Sequence, residues 1–108
     1  MYSDIKIDLD LGSGHWLSFT SWAPDRFCNP QYAHLPDDDR IGGIITHELP
    51  GGKMCQGSIW FDKPVVREVF PGRPVWTVHS WEPLTLSPSF LCHCGDHGFI
   101  REGKWVNA

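Results

Sequence analysis

The sequence predicts a small all-β fold, either a sandwich or a partly open barrel. It should hold about seven or eight short strands and one long Pro-rich loop. Three observations predict it. Nine prolines recur from Pro24 to Pro88 with no gap longer than 14 residues, which leaves little room for long helices. Apolar and polar residues alternate with period two in several short runs. Eleven glycines, many beside prolines or in pairs, punctuate those runs as turns. With 108 residues, the chain reads as a single domain over 1–108.

The elements follow in order. Ile5, Ile7, Leu9 and Leu11 alternate with Lys6, Asp8 and Asp10, which is a strand with one buried face. Gly12-Ser13-Gly14 turns the chain into a second strand, His15 to Trp22. Pro24 to Arg40 reads as the long loop, with one helical turn near Gln31 to His34. Its Asp37-Asp38-Asp39 run reads as a solvated turn. Gly42 to His47 is a short strand, stopped by Pro50-Gly51-Gly52. Ser58 to Phe61 and Val65 to Phe70 predict a hairpin across Asp62-Lys63-Pro64. Val75 to Ser80 is a strand with Val75, Thr77 and His79 on one face. Gly98 to Arg101 and Lys104 to Val106 close a hairpin over Glu102-Gly103. Six tryptophans supply much of the apolar area, and Trp76 and Trp105 are expected to be buried.

Composition excludes several functions. The net charge is -4 and the basic residues are scattered, so phosphate-driven nucleic-acid binding is not expected. The first residues lack the basic start and apolar run of a signal peptide. No stretch approaches the roughly 18 to 20 apolar residues of a membrane span. The expected setting is the cytosol, where four cysteines read as thiols or metal ligands rather than disulfides.

Chemistry concentrates in Ser89-Phe90-Leu91-Cys92-His93-Cys94-Gly95-Asp96-His97. Cys94-Gly95-Asp96-His97 has the C-x-x-H spacing of a metal knuckle. Cys92 projects to the same face as Cys94 in an extended segment, and Cys55 approaches from another turn-rich stretch. Cys55, Cys92, Cys94 and His97 would make a Cys₃His set, a common structural-zinc composition. The spacing leaves open whether Cys92 or His93 faces the ion. Cys28 reads as a small buried hydrophobe, and His15, His34, His47 and His79 as surface or packed histidines. Ser87 and Ser89 offer a second chemistry, a hydroxyl nucleophile with His97 as base. Asp96, Glu82 and Asp25 are the candidates to orient that base. The plainer reading is that both serines cap the turn around Pro88.

The run Trp76 … Leu86-Ser87-Pro88-Ser89 … Cys94-x-x-His97-Gly98-Phe99-Ile100-x-x-Gly103-Lys104-Trp105 resembles a family of short, mostly uncharacterised bacterial and tailed-phage proteins. Ser21-Trp22-Ala23-Pro24-Asp25-Arg26 and Asn29-Pro30-Gln31-Tyr32 extend the likeness to proteins of actinobacterial phages. Some family members sit beside bacterial ubiquitin-like conjugation genes and look like peptidases of the ubiquitin-like protein. That resemblance implies Ser89 (or Ser87) and His97 as matching catalytic positions. The chain departs from the pattern in three places. A Cys-x-Cys-Gly becomes Met54-Cys55-Gln56-Gly57, a W-T-L strand becomes Trp76-Thr77-Val78, and Cys92 is additional.

Three functional readings result. The first is a phage-encoded β domain stapled by zinc, acting on a protein partner as a binding or assembly accessory. The second is a Ser/His peptidase or isopeptidase. The third is a virion decoration component. The first two compete for His97, because a histidine bound to metal through its lone pair cannot also serve as a base. The added Cys92 favours the metal.

Overall fold

The computed structural model describes residues 6–23 and 30–108. Ile5, Asp25 and Cys28 lie outside them. Strands and bridges account for 54% of the described residues, so the all-β class holds. Among the described residues there are nine strands in three antiparallel sheets, with no closed barrel. The strands β1 (Leu9–Gly12), β2 (His15–Trp22), β3 (Asp38–Glu48) and β4 (Met54–Trp60) form a meander in that order. β5 (Thr77–Trp81) pairs with β6 (Leu84–Ser87). β7 (Phe90–Leu91), β8 (His97–Arg101) and β9 (Lys104–Asn107) form the third sheet. No described helix is long and apolar enough to cross a membrane.

Two of the three predicted hairpins are present. Gly12-Ser13-Gly14 joins β1 to β2, and Glu102-Gly103 joins β8 to β9. Glu102 and Gly103 both take positive φ (51° and 75°), the twist that suits a two-residue connection between right-twisted strands.

Val65 to Phe70 is a correction. The segment is a helix, α1 (Pro64–Val69), not a strand. Pro64 sits at its first turn, where a fixed φ helps and a missing N–H costs nothing. Val65 and Val66 are buried with Trp22 and Ile41, and Val69 packs against them. That apolar stripe outweighs the strand preference of valine. The expected partner segment, Ser58 to Phe61, pairs with β3 instead. The long loop is also shorter than expected, because β3 begins at Asp38. The Asp38 carboxylate accepts from Lys63 Nζ at 2.8 and 2.9 Å. Burial would raise its pKa, but the Lys63 hydrogen bonds, the Arg40 N–H and the Lys63 charge outweigh burial and hold it below the usual carboxylate value. Of the two tryptophans expected inside, Trp105 is buried and Trp76 only half-buried. Trp76 precedes β5 at a parallel bridge to Phe61, and its indole N–H donates to the Ser89 carbonyl at 3.3 Å.

One core cluster joins all three sheets. Leu17, Ile45 and Ile59 from the meander meet Leu86, Phe90 and Ile100 from the other two. Close approach at one point depends on glycine. A Cβ on Gly57 of β4 would stand 2.5 Å from the Phe90 ring, so only glycine lets β7 lie this near β4. Two residues beyond Phe90 comes Cys92, which is carried in toward the end of the meander.

Candidate metal centre

The centre begins as a row across three strands. In the antiparallel register His15 of β2 opposes His47 of β3, and His47 opposes Cys55 of β4. Directly opposed residues share a face, so the three side chains project together. The His15 and His47 rings stack at 5.4 Å, and His15 stacks on Trp105 at 4.0 Å.

The turn after β7 supplies the rest. The Cys92 N–H donates to the Asp96 carbonyl, and the Gly95 N–H to the Cys92 carbonyl, both at 2.8 Å. Gly95 takes φ +98°, which closes the turn. The His47 Nε2 atom then lies 3.4 Å from Cys92 Sγ and 3.5 Å from Cys94 Sγ. Cys55 Sγ is 3.6 Å from Cys92 Sγ. These four donor atoms lie within 4.8 Å of one another and can hold a metal ion. Three members are buried, and Cys94 is at the surface.

Three of the four sequence-predicted ligands therefore meet, and the fourth does not. His97 stands apart, its Nε2 2.9 Å from Ser89 Oγ, and His47 occupies the place expected for it. The reason is strand alternation. Asp96 turns its side chain toward His15 and His47, so His97, the next residue and the first of β8, faces away. Cys92 rather than His93 faces the centre: Cys92 is 3% exposed, whereas the exposed His93 ring flanks the sulfurs at 3.7 and 3.8 Å. Spacing does not flag His47, because Cys92 and Cys94 are 45 and 47 residues away and Cys55 meets it only through the β3–β4 register. Its only sequence signal was the row it shares with His15 and Cys55, which needs the register of two hairpins.

The surroundings tune the donors. Burial pushes the His47 pKa down, against the opposing pull of the Asp96 carboxylate, and favours the neutral ring that can offer a lone pair. Burial, helped by the neighbouring thiols, pushes Cys55 up to about 11. Cys94 is held below its ordinary value, first by the Asp96 backbone N–H. Asp96 Oδ2 lies 2.6 Å from His15 Nε2 and 3.5 Å from His47 Nδ1. His15 Nδ1 faces the Ser13 carbonyl at 2.8 Å. Asp96 thus braces the ring edge of His47 opposite the cysteines. Asp96→Asn should weaken metal binding by about 10- to 100-fold with the fold retained, as read by competition with a chromophoric chelator.

A second arrangement lies outside this cluster. Ser89 Oγ and His97 Nε2 are within hydrogen-bond reach, and Ser87 Oγ is 2.6 Å from His79 Nε2. Asp96 is committed to His15 and does not orient His97. Among the described residues no carboxylate is hydrogen-bonded to His97, and Asp25 lies outside them. No family model, curated protein or solved structure matches this chain.

Proposed function

We propose that this chain is a small β domain cross-linked by one structural zinc ion, acting as a binding or assembly accessory to a protein partner. The convergence of His47 Nε2 with Cys55, Cys92 and Cys94 Sγ carries the reading. Tetrahedral zinc with ordinary bond lengths needs about 3.8 Å between two sulfurs and about 3.6 Å between sulfur and nitrogen. The separations of 3.6, 3.4 and 3.5 Å fall close to those values before any adjustment. The 2.6 Å contact between His15 and Asp96 is too short for two ligands of one ion, and is a hydrogen bond. Four protein donors leave no open position, which favours a structural over a hydrolytic metal. Such a staple suits a domain of this size, whose apolar burial and chain entropy nearly cancel. An accessory role draws support from the surface. A cleft of about 310 Å³ is walled by Phe19, Trp81, Pro83 and Leu84, with Arg40 stacked over Phe19 at 4.6 Å. Metal analysis of protein purified without chelator should find about one zinc per chain. Protein that is fully folded and metal-free would sink the reading.

A second reading, a Ser/His hydrolase, is favoured by one observation. Ser89 Oγ lies 2.9 Å from His97 Nε2, inside the range a nucleophile and its base require. Because His47 supplies the centre's histidine, His97 keeps its lone pair, and the two chemistries do not compete. The ranking rests on the absence of an orienting carboxylate at His97 among the described residues. Ser89→Ala should leave metal content and melting temperature unchanged. Under the leading reading it also leaves no hydrolysis to lose. Loss of cleavage of a ubiquitin-like C-terminal fusion in that variant, at unchanged stability, would make the chain a peptidase.

A further inference from the structure

The three sulfurs of the centre differ in access. Cys55 and Cys92 are 8% and 3% exposed, whereas Cys94 is exposed. Cys94 also sits in the turn between β7 and β8 rather than in a strand. A Cβ on its neighbour Gly95 would meet nothing within 4 Å outside the adjoining residues, so the side-chain position next to Cys94 is open. Cys55 is fixed in β4 opposite His47, and the three sulfurs lie within 4.8 Å of one another.

We propose that Cys94 is a modification site for hydroperoxides, and that its oxidation ends in a Cys55–Cys94 disulfide with release of the metal. The inference rests on the metal-centre reading above. In the first step the Cys94 thiolate attacks one peroxide oxygen. An S–O bond forms, the O–O bond breaks, and hydroxide leaves to take up a proton. In the second step the Cys55 thiolate attacks the Cys94 sulfenic sulfur. An S–S bond forms and the oxygen leaves as a second hydroxide. The two sulfurs lose two electrons, and the two peroxide oxygens gain them. Two of the three thiolate ligands are consumed, so His47 and Cys92 alone remain to hold the ion.

Geometry selects Cys55 as the resolving thiol. Cys92 and Cys94 are two residues apart in one tight turn, where a disulfide would be strained. Cys55 comes from a different strand, β4, and its sulfur lies within 4.8 Å of Cys94 Sγ. The product would tie β4 covalently to the β7–β8 turn, replacing the metal link by a sulfur link.

The test uses the wild-type chain as purified. Its metal content is measured first, then hydrogen peroxide is added in the presence of a chromophoric chelator. Released metal and the non-reducing peptide map are followed together. The expected result is release of the bound metal in step with loss of two hydrogens from the chain. Fragmentation should place the link between Cys55 and Cys94, and dithiothreitol with added zinc should restore the starting state. In urea the pairings should become mixed, because only the fold directs them. Metal retained under excess peroxide, a first link at Cys55–Cys92 or Cys92–Cys94, or an unlinked sulfinic acid at Cys94 would each overturn the proposal. Protein without metal before oxidation would overturn the metal reading instead, and the peptide map would still report whether Cys55 and Cys94 pair.

Discussion

His47→Ala should strip the metal and cost more stability than any other single histidine change in this chain. The variant removes one of four converging donors and leaves three thiols crowded in a largely buried space. Structural zinc contributes on the order of 10 kcal/mol in zinc-finger peptides that have almost no other core. This domain has an apolar core of its own, so a loss of several kcal/mol is the reasonable scale. At about 4 to 8 °C per kcal/mol for a domain near this length, the melting temperature should fall by roughly 15 °C or more. His97→Ala is the matched control. Its ring is exposed and bonded to Ser89, so metal content and melting temperature should stay at wild-type values. A reversed pattern, in which His97→Ala loses metal and His47→Ala keeps it, would refute the assignment of the centre.

Gly57→Ala should destabilise the fold and the centre together. The added Cβ would meet the Phe90 ring at 2.5 Å, a distance that real contacts do not show. Either the ring or the whole of β7 must move. Overpacking of this kind typically costs about 1 to 3 kcal/mol. The consequence for the metal follows from chain connectivity. Phe90 and Cys92 are two residues apart, and Cys92 Sγ must stay near 3.6 Å from Cys55 Sγ in the strand that carries Gly57. Displacing β7 therefore opens the centre. Thermal melts with and without a strong chelator separate the two effects. In Gly57→Ala the gap between the curves should narrow, because less binding free energy is left to lose. A melting temperature unchanged from wild type would show that Phe90 yields freely and that the close approach is incidental.

The sequence by itself determined the all-β class, two of three hairpin turns and three of the four converging donors. Those features are local. Period-two alternation sets which residues of β1 and β5 face inward, and the glycines of Gly12-Ser13-Gly14 and Glu102-Gly103 mark the turns locally. Cys92 and Cys94 flag themselves by spacing, and Cys55 by following the Pro50-Gly51-Gly52 turn. Val65 to Phe70 misled because its valines favour a strand locally, whereas the choice of helix rests on burial against Trp22 and Ile41 far away in the chain. Only the tertiary structure decided which histidine joins the sulfurs. A C-x-x-H spacing permits His97 to meet Cys94, but Asp96 turns inward to His15, and alternation then sends His97 outward to Ser89. His47 reaches the same place through the register of two hairpins and the tight seat of Phe90 on Gly57. Those are non-local facts, set by packing between sheets, and no spacing along the chain encodes them.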